Sequence, residues 1–486
     1  MANQNNASNM KKNDAITPRE EDMGKWYSEI CLKANLMSYA RVKGFIVYRP
    51  YGYAIWEQIK NWLDKEFKKA GVQNVYMPSL IPESLLKKEA DHIKGFAPEC
   101  AVVTRGGNED LKEPLYVRPT SETLFCDHFH DILSSYRDLP LIYNQWCSVV
   151  RWEKTTRPFL RGAEFLWQEG HTLHRTEAEA REFALKILNI YDRLGREVLG
   201  IPFIKGRKTE REKFAGAEDT YTIEALMPDG QALQSGTSHY FGQGFARHYD
   251  ITFLDSDNTL KTPYQTSWGV STRLIGALIM EHGDDNGLIL PPYVAPIQVE
   301  IIPIRADKDK RVNETAHKIK DELEAKGLRV RIDDSDKTPG WKYAQCELEG
   351  VPLRIDVGPR DLDKNQVMAV RRFDNSRDFL KLDGNLAETV NEEMAKITKG
   401  MYDKANAYLH SHITEVHTYD ELKDVITSGK GYAKMMWSGD EEVEIKIKNE
   451  LNATSRCMPF DQVPFMDTDP VNGKKARYVV LFARAY

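Results

Sequence analysis

The stretch VVRWEKTTRPFLRGAEFLWQEGH, residues 149–171, sets three arginines, three glutamates and a histidine among aromatic side chains. It reads as two strands, CSVVRWE and EFLWQEGHTL, joined by the loop KTTRPFLRGA. Alternate side chains of a strand share a face, so Arg151 and Glu153 point the same way, as do Phe165, Trp167, Glu169 and His171, and a hairpin can set the two groups on one wall. Such a wall suits a polyanion bound beside a small cationic group. The planar guanidinium of arginine matches phosphate oxygens two at a time, and Arg157 and Arg161 concentrate that capacity on the loop. The competing reading is a set of cross-strand salt bridges on a half-exposed sheet. Aromatic rings on the charged face and arginines crowded on the loop weigh against it.

Other chemistry-bearing residues lie along the chain. In YVRPTSET (116–123), Thr120 and Glu122 read either as ligand contacts or as an N-cap followed by a first-turn acid. His239 in QSGTSH is either a ligand contact or a hydrogen-bonded core histidine. Arg273 at the start of a helix opposes the helix dipole, which suggests that it serves something other than the helix. The pairs His128/His130 and His410/His412 do not share a helical face, so metal is not expected there.

These residues need elements to carry them. From Tyr53 to Ala70, apolar side chains at Ile55, Ile59, Leu63 and Phe67 mark a helix that Gly71 stops, and the strand-like run VQNVYMP follows. Thr176 and Glu179 have capping-box spacing and open a helix running toward Gly200. DTYTIEAL, QALQSGTSHYFGQGF, HYDITFLD and YQTSWGVS then suggest antiparallel strands, and TRLIGALIMEHGDDNG a buried helix ending near Gly283. The proline-rich GLILPPYVAP is the best linker. Beyond it, strand and helix alternate (IQVEIIPI, KRVNETAHKIKDELEAKG, LRVRI, a helix near Trp341–Leu348, LRIDV), which predicts a small α/β domain with a largely parallel sheet. A charged helix from about Glu388 leads to a final unit ending RYVVLFARAY.

Bulk properties narrow the class. A length of 486 residues predicts two or three domains, and 41% hydrophobic residues predict globular ones. No apolar run reaches the roughly 18 residues of a membrane span, and a polar tail at residues 1–20 lacks a signal peptide's apolar segment, so a cytoplasmic protein is expected. Six cysteines stand singly with no CxxC, which suits reduced thiols and disfavours a zinc ribbon. A net charge of −6 neither proposes nor excludes an RNA partner.

Arg151-Trp152-Glu153 resembles the Arg-x-Glu of motif 2 (about 147–171) in class II aminoacyl-tRNA synthetases, and RPFLRGAEFLWQEGH resembles the prolyl-tRNA synthetase family in particular. YVRPTSET is similar to that family's Thr-x-Glu loop, the 52–78 region to motif 1, and SWGVSTRLIGALIMEHGDDNGLILPP to motif 3 (about 264–283). DKTPGWKYAQCELEGVPLRIDVGPRDL is similar to the anticodon-binding domain. The resemblance implies an α+β catalytic domain at 21–290 with an antiparallel six-stranded sheet flanked by helices. It implies a small α/β anticodon-binding domain at 297–400 and an α+β C-terminal domain at 401–486. It further implies a homodimer formed through motif 1, with L-proline, ATP and tRNA(Pro) as partners.

By the same resemblance Arg151 bridges the α-phosphate and the amino-acid carboxylate, and Arg273 covers one adenine face and reaches the γ-phosphate; these two are the expected catalytic residues. Glu153 and Phe165 serve the adenine, Arg161 and the adjacent Gly162 the γ-phosphate side. Gln234 and Thr237 lie near ATP, with Gln234 the candidate for its Mg2+. Thr120, Glu122, Trp167, Glu169, His171, His239 and Ser271 surround proline. For Arg157 two readings stay open, contact with the tRNA acceptor end or a solvated charge.

Two departures matter. Where eukaryotic-type relatives hold zinc with four cysteines, only Cys457 remains, so no structural zinc is expected; Met435, Met436, Trp437, Met458, Phe460 and Phe465 are candidate core fillers instead. The segment between motifs 2 and 3 is also too short for the large bacterial editing domain, so the archaeal and eukaryotic-like type is expected, without deacylation of alanyl-tRNA in cis. Alternative readings are a class II synthetase for another small amino acid, such as threonine, and a non-catalytic synthetase-like RNA-binding protein.

Overall fold

The first long helix, Pro50–Lys69, starts with proline at its N-terminus, where no intrahelical N–H is needed, and stops where Gly71 takes φ +85°. Its stripe of Ile55, Trp56, Ile59, Leu63 and Phe67 is buried, and Phe67 meets the Trp268 ring with centroids 5.0 Å apart. The computed structural model to which it belongs describes residues 16–88 and 100–486. Most of the expected polar tail thus lies outside the described residues. From Ile16 onward the chain is anchored: Ile16 is buried, and Arg19 donates to the Gly283 carbonyl at 2.9 Å.

The catalytic region is built on six antiparallel strands in the order Ile204–Arg207, Asp219–Leu226, Ala232–Gly242, Tyr264–Ser271, Glu164–His174, Leu141–Val150. Of VQNVYMP, only Gln73–Asn74 becomes a strand, pairing parallel with Tyr143 and Asn144. The helix Glu177–Leu194 covers one face through Phe183, Ala184, Ile187 and Tyr191, and the capping box of Thr176 and Glu179 is formed. DTYTIEAL and YQTSWGVS form strands over their whole length, Asp219–Leu226 and Tyr264–Ser271, but the other two expected strands are shorter. Gly242 at φ +58° ends its strand, Gly244–His248 turns helical, and HYDITFLD keeps only Phe253–Leu254, paired with Leu260–Lys261 outside the main sheet. The first strand of the opening stretch ends at Val150 rather than Glu153. There the Arg151 amide bonds to Ala163 O at 2.8 Å and the Glu153 amide turns back to Arg151 O at 2.7 Å.

The second region centres on five strands in the order Val330–Ile332, Val299–Pro303, Leu353–Val357, Gln366–Arg371, Arg377–Lys381. The first three are parallel, but the last two pairings are antiparallel, so the sheet is mixed rather than largely parallel. A long helix, Leu386–Ser411, leads to the final unit of strands Ile413–Glu415, Tyr432–Trp437, Tyr478–Ala483 and Thr454–Pro459. Met435, Met436, Trp437 and Met458 are buried there as anticipated. Phe460 is not a core residue; it is 48% exposed and rests against Tyr221.

The two outer regions are not equally attached. Thr454–Pro459 pairs with Ile204–Arg207 through Met458 opposite Arg207 and Pro459 opposite Gly206, which fuses the C-terminal and catalytic strands into one eleven-stranded sheet. Only glycine permits this approach at position 206, since a Cβ would lie 2.5 Å from the Met458 carbonyl. Beneath the joint, Glu224 is fully buried between Lys208 (2.8 Å) and Arg456 (3.1 Å).

Candidate active site

The strand Glu164–His174 presents Trp167, Glu169 and His171 on one side, as the period of two requires, into a cleft of about 250 Å3. The other side of this strand is closed: a Cβ on Gly170 would lie 2.1 Å from the Trp268 ring. Glu169 is 2% exposed and accepts from Ser121 N at 3.1 Å, Ser121 Oγ at 2.5 Å and Gln145 Nε2 at 2.7 Å, with His171 Nε2 3.0 Å away. Burial alone would raise its pKa, but the bonds from His171, Ser121 and Gln145 outweigh it and hold the carboxyl below its ordinary value. His171 in turn stacks on Phe125 with centroids 4.1 Å apart.

Thr120 Oγ1 donates to Glu122 Oε2 at 2.5 Å at the start of the helix Glu122–Ile132, and both line the cleft. Glu122 therefore serves as a first-turn acid and as a cleft residue at once; the N-cap position belongs to Ser121, which makes no side-chain cap bond. On the opposite wall His239 is held by Thr220 Oγ1 at 2.9 Å and Thr237 Oγ1 at 3.1 Å, beside Phe214. Burial, with a smaller push from His171, lowers its pKa to about 3, so it is neutral at physiological pH. It is a hydrogen-bonded buried histidine and a cleft residue together.

Arg151 lines the cleft, and Arg273 lies close enough to Arg151 and to Arg161 to feel their charge. Arg151 Nε donates to the Pro119 carbonyl at 3.0 Å, and its guanidinium carbon lies 5.3 and 5.5 Å from the Phe165 and Trp167 ring centroids. Arg273, the first residue of the helix Arg273–His282, donates from Nε to Leu160 O at 3.0 Å and from Nη1 to Gln234 O at 3.1 Å. Burial, then Arg161 and Arg151, push its pKa down to about 10, which leaves it cationic at neutral pH. Ser271 accepts from the Arg273 amide at 3.1 Å and so fixes this helix start rather than lining the cleft.

The expected residues divide between two cavities. Thr120, Glu122, Arg151, Trp167, Glu169, His171, Gln234, Thr237 and His239 share the first, while Arg161, Gly162 and Phe165 line a neighbouring one of about 240 Å3. Glu153 and Arg273 line neither. Glu212 and Phe214, from the loop before Asp219–Leu226, and Ser267, Trp268 and Gly269 line the first cavity without having been anticipated. Phe214 inside the polar run TEREKFAGAED was the available signal. Arg157 lies with its guanidinium 5.4 Å from the Tyr486 ring, and Tyr486 in turn donates to Asp229, so the loop arginine packs on the last residue of the chain rather than standing in solvent.

Hydrogen bonds within the chain hold Thr120, Arg151, Glu169, His239 and Arg273 in place. The cleft has a cationic side at Arg151 suited to phosphates and a small aromatic end holding a carboxylate, which suits a compact ammonium-bearing molecule. Comparison with known proteins decides the family. Residues 103–282 match the tRNA synthetase class II core domain (G, H, P, S and T), residues 298–392 the anticodon binding domain, and residues 419–486 the prolyl-tRNA synthetase C-terminal domain. The proline--tRNA ligases of Lachnospira eligens and Agathobacter rectalis are each 54% identical to the chain, covering 99% of it and 100% of their own length. That of Ruminiclostridium cellulolyticum is 53% identical over 480 residues. The chain belongs to the prolyl-tRNA synthetase family. The antiparallel sheet flanked by helices is thus the family's class II core.

Among the described residues, no group of three or more histidine, cysteine or acidic side chains could hold a metal ion, and no helix is long and apolar enough to cross a membrane. The tempting histidines are spent on backbone: His130 lies 3.1 Å from Asp250 O, and His412 2.8 Å from Tyr408 O. Cys457 is fully buried, and burial pushes its thiol up to about 12.

Proposed function

We propose that this chain activates L-proline with ATP to prolyl-adenylate and transfers the prolyl group to the 3′ end of tRNA(Pro), as a cytoplasmic homodimer. The observation that carries this reading is one cleft in which Arg151 stands beside the Trp167, Glu169, His171 and His239 enclosure, with Arg161 lining the neighbouring cavity. Relatives named proline--tRNA ligase over their full length support the substrate.

In the first step a proline carboxylate oxygen bonds to the α-phosphorus, and the bond to the bridging oxygen breaks with its electrons leaving on pyrophosphate. The nucleophile is already an anion, so no protein base is required. What the chain supplies is neutralisation and alignment of two anions. Arg151 serves the α-phosphate and carboxylate, Arg161 and Arg273 the distal phosphates, and Phe165 the adenine. Thr120, Glu122 and Glu169 answer the secondary ammonium, whose burial without acceptors would be costly. For Mg2+, the amide oxygen of Gln234 fits as one protein ligand beside phosphate oxygens, since Mg2+ is commonly held mostly by substrate and water. It would neutralise phosphate charge.

The test is pyrophosphate exchange across a panel of amino acids. Exchange with proline and not with threonine or alanine is expected; no preference for proline refutes the reading. Arg151→Ala is expected to lower the exchange rate by about 100-fold or more. Exchange left intact in that variant would remove both the mechanism and the site.

A further inference from the structure

Arg273 touches only carbonyl oxygens, those of Leu160 and Gln234, and no carboxylate pairs with it among the described residues. Yet a carboxylate stands near by. Thr220, Thr222 and Glu224 alternate along one strand and lie opposite His239, Thr237 and Gln234 on the next, so Glu224 continues the row that walls the cleft. Glu224 and Arg456 both act electrostatically on Arg273, Glu224 attracting it and Arg456 opposing it.

The neutrality of this carboxylate depends on the C-terminal unit. Glu224 Oε1 accepts from Lys208 Nζ at 2.8 Å and from Thr222 Oγ1 at 3.0 Å; Oε2 accepts from Arg456 Nε at 3.2 Å and Nη2 at 3.1 Å. All of its Oε2 bonds thus come from Arg456, which lies 232 residues away in sequence. A buried carboxylate that loses one partner is left with an uncompensated oxygen and draws the next available cation. That cation is Arg273, whose guanidinium bonds to carbonyls alone, one of them Gln234 O on the strand beside Glu224.

We propose that Arg456 is a positioning residue for the nucleotide half of the site: by saturating Glu224 it keeps Arg273 at liberty to meet the triphosphate. The inference rests on the proposed role of Arg273 in ATP binding. It makes the C-terminal unit a part of the ATP site without touching ATP.

Initial rates of proline-dependent pyrophosphate exchange by the full-length chain, with ATP and proline varied separately, test this. Arg456→Met is expected to raise the KM for ATP by about ten-fold while leaving that for proline within about two-fold, the split that marks lost differential binding of one substrate. Arg456→Lys should fall between. Adding Glu224→Gln to Arg456→Met removes the stranded charge and should recover most of the loss, a coupling that a double-mutant cycle reads directly. Equal rises in both KM values, or a double variant no better than Arg456→Met, would overturn the inference and leave the functional reading standing. If Arg456→Met does not fold, Glu224→Gln alone decides: an unchanged or lower KM for ATP supports the inference, and a rise of ten-fold refutes it. A wild-type chain that exchanges with no amino acid would overturn both readings.

Discussion

Glu169 illustrates how a carboxylate remains ionised at 2% exposure: three donors and a histidine surround it, so the charge is bonded rather than merely hidden. Glu169→Ala strands Ser121, Gln145 and His171 without their acceptor. It should destabilise the chain by about 2–4 kcal/mol and raise the proline KM more than the ATP KM, measured by urea unfolding and exchange kinetics. A variant of unchanged stability would show that the network is dispensable. At this scale the sequence was legible wherever alternation applied. Trp167, Glu169 and His171 had to share a face because they are two residues apart on a strand. Ser271 has the same spacing from Arg273, but the chain turns into a helix between them, so Ser271 binds backbone instead. Glu212 was illegible because a charged loop gives no sign of folding back over a cleft.

Elements were easier to foresee than their ends. The helix Glu177–Leu194 begins where its capping box says, whereas HYDITFLD has a strand's composition but pairs only over Phe253–Leu254, with Leu260–Lys261 outside the main sheet. The central strand Glu164–His174 ends in His174, which is 3% exposed, with its Nε2 lacking a hydrogen-bond partner among the described residues. Burial lowers its pKa to about 4, below the ordinary 6.5. Between those values the unfolded chain takes up a proton that the folded chain refuses, so acidification through this window costs stability, about 1.4 kcal/mol per pH unit for this group. His174→Leu removes that cost and strands no partner. Its stability relative to wild type should therefore climb as pH falls from 6.5 to 4 and level off above and below. Urea unfolding at several pH values checks this; a pH-independent difference would contradict it.

Across the whole molecule the unexpected feature is the joint between the catalytic and C-terminal sheets. The sequence indicated a final unit but not its attachment, because pairing of Thr454–Pro459 with Ile204–Arg207 is made of backbone bonds, and Gly206, on which the close approach depends, does not name its partner. The one visible clue was Arg456, a charge in the middle of the short run TSRCMP. Ending the chain at Ser411 would expose the Ile204–Arg207 edge and leave Glu224 with Lys208 and Thr222, both on one of its two oxygens. The shortened protein should aggregate and lose exchange activity, as size-exclusion chromatography and rate assays would register; a monodisperse, active fragment would show that the joint is ornamental. The same joint bears on how the chain is made. During synthesis, the edge strand of the catalytic sheet leaves the ribosome long before Thr454–Pro459, 232 residues separating Glu224 from Arg456. Domain-by-domain folding behind the ribosome is therefore blocked at this seam, and the nascent sheet must wait with one edge open. A protein proposed to feed translation is thus itself a late-finishing client of it, for which slow elongation through residues 207–454 prolongs the interval of greatest aggregation risk.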